Sequence, residues 1–266
     1  MIDNYYKRYQ LIFNPFTKNL NEYFFESKNF KELKYNLDYV IQTRGIGLIT
    51  GNPGCGKTTA LKQYLDTLPK HLYKVIYISM TTLTVREFYY QLADMFSLPM
   101  SFKKNILVKE IKEAICQYTD QKKILPIIVI DEANYLSNAI LNDLKMLMNF
   151  DMDSRNKAVL IICGTPTLLR TLELTVHEPL NQRITARVEF DELSESEAKT
   201  YIESKIEKAG SNLNIFTPDA IQGVINGSNG IPRLIDKIMD KTLMIGDKMN
   251  VDIINLDLVK KVTKTM

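Results

Sequence analysis

The sequence predicts an α/β protein in which a parallel sheet flanked by helices is followed by a separate group of helices. Short runs of isoleucine, valine and leucine alternate with amphipathic stretches as far as about residue 193. Near-continuous apolar runs of this kind are typical of strands that are buried on both faces, as in a parallel sheet covered by helices. Beyond residue 193 the strand-like runs stop and only helical spacing continues, which indicates a change of architecture.

The individual elements follow from these patterns. Five apolar runs predict strands, at residues 47–50, 75–79, 127–130, 159–163 and 188–190. Amphipathic stretches predict helices at 30–43, 57–68, 85–97, 106–119 and 136–149, and then at 194–208, 217–225, 231–245 and 255–264. Residues 1–30 predict an ordered arm, because Pro15 holds Asn14 in an extended conformation. The predicted domains are 1–43, 44–193 and 194–266.

Composition limits the possible function classes. The chain has 266 residues, of which 45% are apolar and 24% charged, and a formal net charge of only +3, so no overall basic field announces a nucleic-acid partner. The three cysteines, Cys55, Cys116 and Cys163, form no Cys-x-x-Cys pair and predict reduced thiols in an intracellular protein. The N-terminal residues do not resemble a signal peptide, and the apolar runs are too short to cross a bilayer. We therefore expect a cytoplasmic protein with no membrane anchor.

A glycine-rich turn lies between the first predicted strand and the helix that follows it. Residues 51–58 fit the pattern G-x-x-x-x-G-K-[ST], a phosphate-binding loop whose backbone N–H groups and helix N-terminus attract phosphate oxygens. Lys57 is expected to reach the β- and γ-phosphates, and Thr58 to offer its hydroxyl to Mg²⁺. A glycine turn without a ligand is the alternative, which the strand and helix on either side disfavour. The predicted nucleotide-binding residues are Gly51, Asn52, Pro53, Gly54, Cys55, Gly56, Lys57, Thr58 and Thr59.

A pair of carboxylates ends the predicted strand at 127–130. Asp131 and Glu132 directly follow this buried run, which is where an enzyme with a phosphate loop places its metal-side acid. We expect Asp131 to hold Mg²⁺ together with Thr58, and Glu132 to act as the base that polarises the attacking water. Strand-end acids also serve as helix caps, and this alternative is outweighed by the phosphate loop upstream.

Three further sites resemble those of AAA+ proteins. Thr165, in the Gly-Thr-Pro after the strand at 159–163, resembles the sensor-1 position, where the family often has asparagine. Arg183 and Arg187, which both precede the predicted strand at 188–190, resemble the arginine-finger box, with Arg183 the better match. Arg233, in Gly-Ile-Pro-Arg, resembles the sensor-2 arginine at the start of a lid helix. Each arginine alone also fits a surface salt bridge, whereas the ordered set is more specific.

The resemblance covers about residues 10–245 and carries several implications. It implies a three-layer αβα ATPase core at 44–193 with a helical lid at 194–266. It also implies that the protein binds ATP with Mg²⁺, hydrolyses ATP and assembles into a homo-oligomeric ring or helical filament. In such assemblies the neighbouring subunit supplies the arginine finger, which is worth about 10³–10⁵ in rate.

Within AAA+ proteins, the detailed match is to the ExeA/TniB-like group. The similar stretches are Asn-Pro-Phe at 14–16, GLITGNPGCGKTT, IDEAN, GTPTLLRTL, QRITARVEFDELSESEA and NGIPRLIDKIMDKTL. This group includes ATPases that load on DNA and guide a transposase to its target. It also includes secretion-associated ATPases that carry a membrane segment and a cell-wall-binding domain. Neither feature is present up to Met266, which favours the transposition-type interpretation and predicts double-stranded DNA and a transposase as partners.

The segment 98–105 is the predicted DNA contact. It lies between two predicted helices and carries Lys103 and Lys104, which would touch phosphates without distinguishing base sequence. A solvated loop is the alternative, and Lys7 and Arg8 are weaker candidates. Three other functions are alternatives. They are a secretion or envelope-assembly ATPase with a membrane partner, a scaffold timed by slow hydrolysis, and a metabolic kinase, which lacks a recognisable acceptor pocket.

Overall fold

The structure is a computed structural model that describes residues 5–17, 24–79, 82–151, 155–211 and 215–265. Its contacts divide the chain into two compact units. The first, called here the α/β unit, comprises residues 28–53 and 57–190. The second, called the helical unit, comprises the described residues within 1–27, 54–56 and 191–266. This grouping reflects packing, and the domain boundaries drawn from the sequence stay a prediction.

The α/β unit is built on one five-stranded sheet, in which every pairing is parallel. The strands are β1 (Ile46–Gly51), β2 (Tyr73–Ser79), β3 (Leu125–Asp131), β4 (Val159–Gly164) and β5 (Ile184–Phe190). Their order across the sheet is β2-β3-β4-β1-β5, so β2 and β5 form the edges. All six residues of β1 and of β4 are buried. The predicted α/β fold class with a parallel sheet is confirmed.

The helices of this unit precede and connect its strands along the chain. They are α1 (Lys28–Thr43), α2 (Lys57–Asp66), α3 (Val85–Met95), α4 (Lys104–Cys116), α5 (Asn138–Leu147), α6 (Pro166–Leu172) and α7 (Glu178–Asn181). Thr84 caps α3 through a reciprocal pair of hydrogen bonds with Glu87, and Ser137 caps α5. A π-helical turn, Gln117–Gln121, extends α4.

Two of the boundaries that differ from the sequence-based elements bear on predicted site residues. Strand β5 begins at Ile184, four residues before the predicted 188–190, because an edge strand alternates exposed and buried residues and has no continuous apolar run. Helix α4 begins at Lys104, two residues before the predicted 106–119. The predicted loop 98–105 was therefore wrong at its end, since Lys104 and Asn105 are helical and Lys103 is the N-cap.

The helical unit contains α8 (Glu195–Lys208), α9 (Pro218–Ser228), α10 (Pro232–Lys248) and α11 (Leu256–Thr263). The arm joins this unit: its 3₁₀ turn, Tyr5–Tyr9, leads into a segment whose Tyr9, Leu11 and Phe16 lie in the same hydrophobic core as the helices. Among the described helices, none is both long and apolar enough to cross a membrane.

Polar contacts reinforce this arm. The Arg8 guanidinium donates to Asp247 at 2.9 Å, to Asp252 at 2.9 Å and to Asn250 at 2.7 Å. The Asn14 amide donates to Asp240 at 2.6 Å. Arg8 is thus engaged inside the helical unit, which counts against the weaker prediction that it binds DNA.

Candidate functional site

The predicted phosphate loop connects β1 to α2. Gly51 ends the strand where a Cβ atom would lie 2.4 Å from the Phe190 carbonyl oxygen, so only glycine fits there. Gly56 has a φ of 97°, a backbone conformation that L side chains rarely adopt. The Lys57 ammonium donates to the carbonyl oxygens of Gly51 at 2.8 Å and Asn52 at 3.0 Å. The lysine is therefore held against the loop in a position to meet an anion.

Thr58 and Asp131, the two predicted metal-side residues, are in direct contact. The Thr58 hydroxyl donates to Asp131 Oδ2 at 2.7 Å, and the Glu132 backbone N–H donates to Asp131 Oδ1 at 2.8 Å. Asp131 ends β3 and is only 3% exposed. One hydroxyl and one carboxylate, both oxygen donors, form a set that suits Mg²⁺, which is bound through one or two carboxylates with waters and phosphates completing its shell. The residues therefore fit the predicted ion.

Glu132, the predicted base, has a left-handed backbone with a φ of 55°. Its side chain is exposed, unlike that of the buried Asp131 before it. Because the backbone is left-handed at this residue, the strand ends here and the two adjacent carboxylates differ in their exposure to solvent. Asp131 lies in the strand and Glu132 lies where water has access.

Two residues that the sequence analysis did not single out surround Asp131. The Tyr77 hydroxyl donates to Asp131 Oδ2 at 2.6 Å, and burial, with the Asp131 carboxylate, raises the pKa of Tyr77 above its usual range. Burial, with a smaller effect of Asp131, also raises the pKa of the Cys163 thiol well above its ordinary value. Both groups therefore stay protonated at neutral pH. No local signal in the sequence marks Tyr77, because its approach to Asp131 depends on the register between β2 and β3.

Thr165, the predicted sensor-1 residue, is the N-cap of α6. Its backbone N–H donates to Asn134 Oδ1 at 3.1 Å, and its hydroxyl lies 2.7 Å from that of Thr167. Asn134 thereby joins the end of β4 to the turn after β3, two residues beyond Glu132. This role was not predicted, because an asparagine in a turn gives no signal of its tertiary partner.

The predicted finger arginines lie at the β5 edge. Arg183 precedes the strand, is half-buried and donates to the Lys145 carbonyl at 3.5 Å. Arg187 lies within the strand, is exposed and donates to Asn181 Oδ1 at 2.6 Å. Both of these hydrogen bonds are made within the α/β unit.

Arg233, the predicted sensor-2 residue, is the second residue of α10 and is exposed. Within the helical unit, its backbone N–H donates to the Gly54 carbonyl at 3.3 Å. The contact involves the backbone, and the role of its guanidinium stays a prediction.

A family comparison decides the class. Residues 40–172, half of the chain, match the AAA domain family. The chain belongs to this family. The predicted recognition of an AAA+ ATPase is thus confirmed at the level of the domain. The match contains the phosphate loop, Asp131, Glu132 and Thr165, and it ends before the two finger arginines.

Individual relatives of this AAA domain protein differ in length. It is 32% identical to General secretion pathway protein A of Aeromonas hydrophila over 235 residues, which is 86% of this chain and 42% of that protein. It is also 29% identical to Potential ATP-binding protein of Staphylococcus aureus, covering 92% of this chain and 96% of that protein. The chain thus spans less than half of the Aeromonas relative and nearly all of the Staphylococcus one.

Solved structures show the same fold at low identity. A chain in the structure of Drosophila ORC bound to DNA is similar with a TM-score of 0.71 and 17% identity. The likeness covers 93% of this chain and 63% of that one. At this identity it establishes the fold alone.

Proposed function

We propose that this AAA domain protein is a Mg²⁺-dependent ATPase that assembles on double-stranded DNA and there recruits or regulates a transposase. The enzymatic part is carried by the hydrogen bond between Thr58 and Asp131, beside a phosphate loop that already holds its lysine. Thr58 and Asp131 would hold Mg²⁺, which when bound neutralises charge on the phosphate oxygens. Adenine as the base rests on the AAA+ resemblance.

The remaining site residues take roles around this pair. Glu132 accepts a proton from the attacking water, because its carboxylate is exposed while that of Asp131 is not. Thr165 presents a polar group near the γ-phosphate, held in place through Asn134. Arg233 contacts the nucleotide from the first turn of α10.

Replacing Lys57 by alanine tests nucleotide binding. A hydrogen-bonded charge contributes about 1.5–3 kcal/mol, so we expect the affinity for ATP to fall by about 10–100-fold. Isothermal titration calorimetry measures this directly. Lys62→Ala, an exposed lysine one turn further along α2, is the matched control and should bind ATP as the parent protein does. No heat of ATP binding to the parent protein would refute the enzymatic proposal.

The finger proposal requires an oligomer, either a ring or a helical filament. Arg183 directly precedes β5, an edge strand of the sheet, and Arg187 lies within that strand and is exposed. An arginine at an edge can reach a site on a neighbouring copy. We propose that Arg183 is this trans finger and that Arg187 is its alternate.

For DNA, the contacts favour Lys103 over the other candidates. Lys103 is exposed, and in the described part of the chain no carboxylate forms an ion pair with it. Lys104 instead has its ammonium 2.6 Å from Asp143 and 5.5 Å from the centre of the Tyr89 ring. One free lysine in each subunit forms a continuous positive track only when subunits repeat in an oligomer. Such a track is compatible with the low net charge of the chain. The ORC chain of similar fold was solved with DNA.

Lys103→Ala is expected to weaken DNA binding by several-fold and to lower the salt dependence by about one ion for each contacting subunit. The measurement is fluorescence anisotropy of a labelled duplex with a non-hydrolysable ATP analogue, over a range of salt concentrations. Lys109→Ala, which removes an exposed lysine that pairs with Glu113, is the control. If the parent protein does not bind duplex even at low salt, the DNA proposal fails.

A second candidate function is supported by a different observation. The 32% identity to General secretion pathway protein A extends over 86% of this chain, which favours a secretion or envelope-assembly ATPase acting on a membrane partner. Such a protein would co-purify with that partner and would be indifferent to DNA. In either case slow hydrolysis would make the ATP-bound assembly a timed scaffold. The transposase itself rests on the resemblance of the sequence motifs to the ExeA/TniB-like group.

A further inference from the structure

Asp131 receives a hydrogen bond from a neighbouring strand as well as from the phosphate-loop helix. Oδ2 accepts from Tyr77 at 2.6 Å and from Thr58 at 2.7 Å. Oδ1 accepts from the backbone N–H of Glu132 at 2.8 Å. Both carboxylate oxygens therefore have fixed donors, and the plane of the carboxylate is set by three groups that come from β2, α2 and the turn after β3.

The strand register explains how Tyr77 reaches this acid. In the β2–β3 pairing, Ser79 is opposite Asp131 and Tyr77 is opposite Val129. Side chains two residues apart lie on the same face of a strand, about 6.6 Å from each other. A tyrosine side chain spans that distance, so the Tyr77 hydroxyl lies beside Asp131. A shorter polar side chain at this position would not reach the carboxylate.

We propose that Tyr77 is a positioning residue for Mg²⁺, whose hydroxyl orients the Asp131 carboxylate toward Thr58. The inference rests on the proposed function, in which Thr58 and Asp131 hold the ion. Tyr77 does not itself contact the nucleotide. Its hydroxyl donates a hydrogen bond to one lone pair of Oδ2. This hydrogen bond fixes the orientation in which the carboxylate would bind the ion. Partners that orient a metal ligand typically change metal affinity by about 10–100-fold when they are removed.

Tyr77→Phe removes this hydroxyl and retains the ring. The test uses Mn²⁺ as a spectroscopic substitute for Mg²⁺ and a non-hydrolysable ATP analogue. Electron paramagnetic resonance measures free Mn²⁺ during titration of the protein–analogue complex, and calorimetry measures analogue binding in EDTA. We expect Mn²⁺ affinity to fall by about tenfold or more. Analogue affinity without metal should equal that of the parent protein.

Tyr64→Phe is the matched control. The Tyr64 hydroxyl also donates to a carboxylate, that of Asp38 at 2.8 Å, and the residue is 1% exposed. Thermal unfolding of both variants measures how much stability is lost when a buried tyrosine hydroxyl is removed. Tyr64→Phe should leave the Mn²⁺ affinity unchanged. This comparison separates an effect on the metal from an effect on stability.

Three results would overturn the inference. Tyr77→Phe could bind Mn²⁺ as tightly as the parent protein, or the same metal effect could appear in Tyr64→Phe. Tyr77→Phe could also lose analogue affinity equally with and without metal. Failure of the proposed function looks different, because the parent protein itself would then show no analogue binding or no Mn²⁺ uptake with the analogue.

Discussion

Arg183→Ala is expected to lower ATP turnover of the assembled protein by about 10³–10⁵-fold, the range over which an arginine finger acts. The affinity of the isolated subunit for ATP should not change, because the proposed finger acts on the nucleotide of a neighbouring subunit. Steady-state phosphate release, measured over a range of protein concentrations, reports the assembly-dependent rate. Calorimetry at low protein concentration reports nucleotide affinity.

Complementation distinguishes a finger supplied in trans from one acting within a subunit. Lys57→Ala keeps Arg183 but has an impaired phosphate loop, and Arg183→Ala has the reverse defects. Mixing the two should restore part of the activity, because some neighbouring pairs then combine an intact loop with an intact arginine. Arg187→Ala, in the edge strand that Arg183 directly precedes, tests the alternate finger in the same assay. Turnover that is independent of protein concentration, with no recovery on mixing, would exclude the trans finger.

Glu132→Gln should retain ATP binding and lose about 10²–10⁴ in turnover, the usual contribution of a general base. The amide has the size of the carboxylate and cannot accept the proton of the attacking water. The exposed side chain makes a stability effect small, since surface substitutions usually change stability by less than about 0.5 kcal/mol. Single-turnover hydrolysis after saturation with ATP measures the chemical step apart from binding.

Glu173→Gln is the matched control for this substitution, because Glu173 is an exposed acid at the end of α6. It should hydrolyse ATP at the parental rate. Full activity in Glu132→Gln would assign the base to another residue, and loss of ATP binding would show that Glu132 acts on affinity and not on the chemical step.

The sequence was sufficient for the parts of the fold that are locally determined. The central strands were predictable because their residues are buried on both faces, and the contact between Thr58 and Asp131 followed from a loop and a strand end that meet at the same edge of a parallel sheet. Strand β5 was predicted four residues too short, since its alternating pattern resembles a loop before an apolar ending.

Tertiary partners were the part that could not be predicted. Tyr77 is one more aromatic residue in a strand until the register with β3 is known. Lys103 and Lys104 are equivalent in sequence, and only the position of Asp143 distinguishes them. Arg8 likewise appeared to be a free cation, and its three partners lie more than 200 residues away along the chain. Such contacts depend on packing between distant segments, which local patterns do not encode.

The helical unit is discontinuous along the chain, and this affects how the protein emerges from the ribosome. Tyr9, Leu11 and Phe16 are synthesised before the α/β unit, yet their core partners in α10 and α11 are synthesised after it. The intervening α/β unit has all its strands by residue 190 and can fold while the remainder is still being translated. During that interval the core partners of this early segment in α10 and α11 do not yet exist, so its apolar side chains can meet chaperones or other nascent chains.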